Sequence, residues 1–191
     1  MIVKGHDFPK VTLVGIVAAD MSLYTDDYRS GERTFQLLTQ AAGRAGRGDR
    51  PGEVVIQTYD PEHYAIEASA AQDYEAFYEK EIRYRSLMGY PPVENLMAVL
   101  AACEDEALLE KACKYLKEYI LRIKGQAQLN VIGPASPGVD KIKDIYRRVV
   151  YVKAPEYRTL VVLKDRMEQY IEINSGFQKM RIQFDFNPMN L

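Results

Sequence analysis

The chain divides by the period of its hydrophobic positions. Apolar residues run almost without interruption from Val11 to Ala19, the pattern of a strand buried on both faces of a parallel sheet. A polar stretch, Asp20 to Gly31, follows. From Ser30, a candidate cap, the period becomes helical, with Phe35, Leu37, Leu38 and Ala41 on the buried side and Arg33 and Gln36 facing out. Gly46, Gly48 and Pro51 stop this helix. Glu53 to Thr58 is a short β-branched run that predicts a second core strand. Strand, helix and strand at this spacing predict a right-handed βαβ unit with parallel strands.

Asp60-Pro61-Glu62-His63 introduces a helix reaching about Ala71, and Asp73 to Met88 carries another, with Tyr74, Phe77, Tyr78, Ile82 and Leu87 toward a partner. Gly89-Tyr90-Pro91-Pro92 ends it. From Leu96 the pattern is that of a self-contained domain. Leu96 to Cys103 reads as a strand, and Asp105 to Lys124 as a helix with Leu108, Leu109, Ala112, Leu116, Tyr119, Ile120 and Ile123 inward. Asn130 to Gly133 is a short strand, Tyr146 to Lys153 a longer one, and Glu156 to Ile173 a helix burying Leu160, Leu163, Met167, Tyr170 and Ile171. In the last strand Met180, Ile182, Phe184 and Phe186 alternate with Arg181, Gln183 and Asp185, so one face is buried and one wet. The order β-α-β-β-α-β predicts an α+β, ferredoxin-like split βαβ sandwich with helices on an antiparallel sheet.

Composition excludes several classes without choosing one. With 191 residues, 47% hydrophobic and 27% charged, the chain holds one or two compact domains of cytoplasmic type, with no apolar run long enough for a bilayer. Cys103 and Cys113 lack a Cys-x-x-Cys partner, which points to reduced, buried thiols rather than a metal or a disulfide. His63 has no second catalytic group beside it and reads as a first-turn surface residue. The net charge of -2 is uneven: seven basic against six acidic residues in 1–50, three against nine in 51–95, and fifteen against twelve in 96–191. A nucleic-acid surface is therefore to be sought at either end, not in the acidic middle.

The densest candidate chemistry is Gln40-Ala41-Ala42-Gly43-Arg44-Ala45-Gly46-Arg47. Two guanidinium groups three positions apart lie on one helical edge or at its frayed end. There they match phosphate oxygens two at a time, and the glycines leave room for a closely approaching ligand. Taken alone, the stretch equally describes a helix with exposed arginines fraying into a Gly-rich stop.

The start of the chain changes that balance. Lys4-Gly5-His6-Asp7-Phe8-Pro9 and the arginine stretch, about thirty residues apart, resemble motifs V and VI of the superfamily 2 helicases. Motif VI reads Gln-x-x-Gly-Arg-x-Gly-Arg, matched at Gln40, Gly43, Arg44, Gly46 and Arg47; Gly5, Asp7 and Pro9 match the Gly-x-Asp-x-Pro of motif V. The wording Lys-Gly-His-Asp-Phe-Pro, then Asp20, then Arg29 to Arg33 leading into the motif, is similar to that of the primosomal replication-restart helicases (primosomal protein N′). The resemblance implies a C-terminal fragment starting inside motif V. Residues 1–60 would be the rear part of a RecA-like α/β lobe, 61–95 a helical connector packing on it, and 96–191 the C-terminal α+β domain.

The same resemblance implies the chemistry. Arg47 would be the arginine finger, Arg44 a second phosphate contact and Gln40 a positioning residue, with Gly5, Asp7, Gly43 and Gly46 around the nucleotide and Lys4 and His6 near the DNA strand being tracked. ATP and magnesium would be used by the full-length parent and zinc held only upstream; partners would be forked or single-stranded DNA, single-stranded-DNA-binding protein and other primosome proteins. The chain contains no Gly-x-x-x-x-Gly-Lys-Ser/Thr loop, so by itself it is expected to be inactive as an ATPase. Without the early strands of the lobe, exposed sheet edge and apolar surface are expected to favour association, or partial disorder of residues 1–58.

A second candidate site is basic. Lys141, Lys143, Arg147, Arg148 and Lys153 gather around a predicted hairpin with Tyr146 and Tyr151 interleaved, a combination suited to a DNA backbone and an unstacked base. Asp140 and Asp144 partly neutralise it, as on an ordinary solvated hairpin. The rival to the enzyme reading is therefore a non-catalytic DNA- or protein-binding module; a repair or RNA helicase of the same superfamily is the other alternative.

Overall fold

The computed structural model describes residues 11–25, 27–46 and 51–189. It is a mixed α/β protein whose chain packs into two compact units, Met1–Tyr84 and Arg85–Leu191.

In the first unit, β1 (Leu13–Ile16) and β2 (Glu53–Ile56) pair in parallel, Leu13 opposite Glu53 and Ile16 opposite Ile56. Between them runs α1 (Ser30–Ala42), so the strand–helix–strand expectation holds among the described residues. The expectation of a strand buried on both faces does not. Ile16 and Ile56 pack with Leu38 and Ile66, while Leu13, Val17 and Val55 on the other face stand exposed, because no layer covers that face among the described residues.

The buried stripe of α1 is Gly31, Thr34, Phe35, Leu38 and Ala42, whereas Leu37 and Ala41 are only partly buried. A threonine belongs in it because its hydroxyl donates to Ser30 O at 2.8 Å and lies 2.7 Å from Ser22 Oγ, which meets the cost of burial. Ser30 is the first helical residue rather than the cap, and Asp27 shapes the entry by accepting the Arg29 N–H at 2.9 Å.

α2 (Tyr64–Ala71) and α3 (Tyr74–Met88) follow. His63 caps α2, its Nδ1 accepting the Ala65 N–H at 3.2 Å, a structural role in place of the surface position read from sequence. On α3 the buried residues are Phe77, Glu81 and Arg85, one turn apart, and not Tyr74, Tyr78 and Leu87, which are exposed. Phe77 stacks on Phe35 at 4.3 Å, Glu81 accepts from the Tyr64 hydroxyl at 2.6 Å, and Arg85 donates to Pro91 O at 3.1 Å. Specific partners let a charged stripe replace the apolar one.

The second unit is a sheet ordered β4-β6-β3-β7, with β5 on β6 and every pairing antiparallel. Its elements are β3 (Asn95–Cys103), α4 (Glu106–Ile123), β4 (Asn130–Ala135), β5 (Lys141–Ile142), β6 (Ile145–Ala154), α5 (Tyr157–Ile173) and β7 (Arg181–Phe186). Met97, Val99, Ala101, Val150 and Val152 from the central strands form one core with Leu109, Leu116 and Ile120 of α4 and Leu160, Leu163 and Met167 of α5. The helical residues are those the 3.6-residue period selects. Ile182, Phe184 and Phe186 pack on the same core, as their alternation predicts.

Two details of this unit carry its rim. β4 shifts register after Ile132 at Gly133, whose φ is 103° and where a Cβ would stand 2.7 Å from Val149 O. Past β7, Asn187 takes a left-handed φ of 46° and closes on the first residue of the core of β3: its N–H donates to Leu96 O at 2.7 Å and its Oδ1 accepts the Leu96 N–H at 2.8 Å. Both cysteines are buried and unpaired, and burial pushes the Cys113 thiol up to about 12, so it is an inert core group.

Candidate functional sites

The arginine stretch lies beyond the C-terminal end of α1. Ala42 is the last helical residue, and Gly43, Arg44 and Ala45 continue as a turn, their N–H groups donating to Thr39, Ala41 and Ala42 carbonyls at 3.0, 3.1 and 3.1 Å. Of the two placements open to Arg44, helical edge or frayed end, the structure takes the second. Gln40 and Gly43 are exposed and Arg44 is half-buried, so these three share one end of the helix. Arg47, Gly5, Asp7, Lys4 and His6 lie outside the described residues.

Gly46 is demanded by the fold. It has a φ of 72°, donates its N–H to Val11 O at 3.0 Å, and carries its backbone so close to Gly52 that a Cβ on it would meet Gly52 N at 2.8 Å. A Cβ on Gly52 would in turn strike Gly46 N and stand 2.6 Å from the Ala45 Cβ. The open space expected around the glycines is thus filled at Gly46 by the chain itself, and the turn that bears Arg44 is stitched to the starts of both strands.

At the other end of the same strands sits a group that sequence reading left in a polar loop. Asp20 is buried; its carboxylate accepts from the Thr58 hydroxyl, from Tyr59 N–H at 2.9 Å and from Asp60 N–H at 3.3 Å. Led by the Thr58 hydrogen bond, these donors hold its carboxyl below the usual value of 3.8. One side chain therefore ties the segment after β1 to the segment after β2. A group with a depressed folded value contributes stability above its unfolded value, and that contribution is lost as pH falls through the folded one. Asp20→Asn is expected to lower the urea midpoint near neutrality, with the gap to wild type narrowing as pH falls below the ordinary carboxylate value of 3.8. A gap independent of pH would show that the charge of Asp20 is not what binds the two segments.

The basic residues of the second unit are divided by the sheet. β5 and β6 form a hairpin, Lys141 opposite Tyr146 and Ile142 opposite Ile145, joined by Lys143 and Asp144 at φ 48° and 62°, the left-handed pair of a tight hairpin turn. Lys141 lies 3.0 Å from Asp144 and 4.6 Å above the Tyr146 ring; the Asp144 contact first, then Tyr146, raises its ammonium above 10.5. Arg147 donates its backbone N–H to Asp140 O at 2.7 Å and Nη1 to Val139 O at 3.2 Å. Lys141, Lys143 and Arg147 thus lie on one hairpin, Lys141 on the face of Tyr146, Lys143 in the turn and Arg147 on the opposite face.

Arg148 and Lys153 are not part of that group. Arg148 turns to the helix side, where its Nη2 meets Glu106 at 2.7 Å and its Nε meets Glu110 at 3.2 Å on α4. Burial opposes its charge, and the two carboxylates outweigh that. Lys153, at the far end of β6, is buried, donating to Met88 O at 2.7 Å and lying 3.6 Å from the Tyr90 ring centre; burial lowers its ammonium, with Glu94 acting the other way. Adjacent strand positions point to opposite faces, and the covered face converts Arg148 from a surface cation into an ion-pair partner.

Comparison with known proteins supplies what the geometry leaves open. Residues 86–189 match the family described as the primosomal protein N C-terminal domain. Across nearly the whole chain it is similar to proteins named replication restart protein PriA: 38% identical over 98% of this chain for that of Bacillus subtilis, 37% over 100% for that of Synechocystis sp., and 34% over 100% for that of Haemophilus influenzae. These alignments span 23%, 22% and 26% of the respective relatives, so the chain covers about a quarter of the length of each.

Proposed function

Because the chain belongs to the primosomal protein N C-terminal domain family, we propose that it serves DNA replication restart as the rear part of an ATP-dependent DNA helicase. The observation that carries the reading is that the similarity runs through both units, from the arginine turn after α1 to the closing Asn187. In this proposal residues 1–60 end a RecA-like lobe, 61–95 connect, and 96–191 form a ferredoxin-like domain; the parallel βαβ of the first unit and the β4-β6-β3-β7 order of the second support those assignments. The protein works in the cytoplasm on forked or single-stranded DNA, with single-stranded-DNA-binding protein and other primosome proteins as partners.

Arg47 is the arginine finger, Arg44 a second phosphate contact and Gln40 a positioning residue, around a nucleotide that also meets Gly5, Asp7 and Gly43. The exposed end of α1 fits a phosphate ligand, since Gln40 and Gly43 face solvent and Arg44 sits beside them. Magnesium and ATP are used by the full-length parent, with zinc held only in its upstream part. The 191-residue chain, lacking a phosphate loop, is expected to hydrolyse no ATP with or without DNA; turnover that survives Arg47→Ala in the purified chain would overturn the proposal.

In a second reading, favoured by the hairpin, the second unit binds nucleic acid independently of any motor. Lys141, Lys143 and Arg147 are its proposed contacts, while Lys4 and His6 belong to the first reading, as contacts to the DNA strand being tracked. Arg148, proposed from sequence, now separates from them, since two carboxylates already hold it. In a salt titration of the chain on forked DNA, Lys143→Ala should reduce the slope of log affinity against log salt by about one and Arg148→Ala should leave it nearly unchanged. A flat salt response of the parent chain, or no binding at low salt, would remove the hairpin from the DNA interface.

A further inference from the structure

Charge is not the most unusual property of the β5–β6 hairpin. Val139, Ile142 and Ile145 are 55%, 47% and 41% exposed, and Ile142 and Ile145 face each other across the ladder, placing two β-branched side chains side by side next to the turn. The turn is built from Lys143 and Asp144, both at positive φ, where glycine or asparagine is the unstrained choice. A lysine is therefore held at the apex against its backbone preference, an outlier of the kind that accumulates at functional sites. The tip is also braced: Lys141 is tied to Asp144 and laid on Tyr146, and Arg147 is tied to Asp140 and Val139. Apolar surface on a stiffened hairpin, flanked by cations and left in water, is complementary to a surface that is flat and apolar within a frame of negative charge.

We propose that this hairpin is a wedge: Ile142 and Ile145 pack on the terminal base pair where duplex DNA opens into single strands, and Lys143 and Arg147 hold the flanking phosphates. A duplex end offers an unstacked base-pair face framed by phosphates, the geometry that apolar wedges exploit elsewhere, and charge selects nucleic acid as the occupant. Between Val139 and Arg147 stand three cations against two carboxylates; Lys141 and Asp144 pair with each other, which leaves Lys143 and Arg147 against Asp140. The inference rests on the nucleic-acid reading of the hairpin given above and adds to it the part of the DNA that is recognised.

The test is titration of the 191-residue chain, at low salt, onto a fork carrying 2-aminopurine at the junction, a matched blunt duplex and a matched single strand, with affinity read from the anisotropy of a distant dye. Saturation of the fork should raise 2-aminopurine emission by about threefold as the junction base unstacks. Ile142→Ser with Ile145→Ser should abolish the rise while affinity for the single strand stays within about twofold, and Ile142→Leu with Ile145→Leu should restore it. Lys143→Ala should weaken binding yet retain the rise at saturation. Fork binding without a change in emission, or a rise undiminished in the serine variant, overturns the wedge and leaves the nucleic-acid reading standing; the exposed isoleucines would then serve a protein partner. Failure to bind any of the three DNAs overturns both.

Discussion

Arg47→Ala in the full-length protein is expected to cut DNA-stimulated ATP turnover by roughly two to five orders of magnitude, with DNA affinity altered far less. A guanidinium that meets a transferring phosphoryl group stabilises charge that develops only in the transition state, so its removal lowers kcat without a matching change in ground-state binding. The turn after α1 supports this role for its neighbours: Gln40 and Gly43 are open to solvent, Arg44 is half-buried beside them, and the turn is pinned to β1 through Gly46 and to β2 through Gly52. Steady-state kinetics with anisotropy-based DNA binding decide the matter. If affinity collapses while kcat at saturating DNA is preserved, the arginine is a contact to the DNA backbone and the motor proposal loses its central residue.

The second large effect is on stability. Leu116→Ala removes a fully buried side chain from the core between α4 and the sheet, at an expected cost of about 2–5 kcal/mol in transfer and cavity terms. For a unit of this size that amounts to a fall in melting temperature of roughly 10 °C or more. Val162→Ala, on the exposed side of α5, should stay within about 0.5 kcal/mol of wild type. Calorimetry of the two variants against the parent reads both effects, and equal small shifts would mean that the helices are not what holds the sheet together.

The second unit was largely legible before its structure. α4 and α5 announce themselves through long apolar stripes, and β7 through strict alternation, because each element faces one covered and one wet side. α3 misleads for the opposite reason: its buried stripe is Phe77, Glu81 and Arg85, and no hydropathy pattern marks a glutamate whose Tyr64 partner lies seventeen residues away. Asp20 was hidden in the same way, since its donors come from residues 58 to 60. The hairpin around Lys141 to Arg147 was expected from the sequence and is present, but with neither glycine nor asparagine to mark it, the two-residue turn at Lys143 and Asp144 was not located.

Residue identity alone determined which groups are available: two guanidinium forks and their glycines in one short stretch, a basic cluster far along the chain, and an order of elements that permits few topologies. Tertiary structure decided which of those groups face solvent. Arg147 and Arg148 are neighbours with the same charge, yet one braces an exposed hairpin and the other is held by Glu106 and Glu110. Side chains along a strand alternate with a period of two, and only the packing of α4 against one face of the sheet settles which member of such a pair is covered.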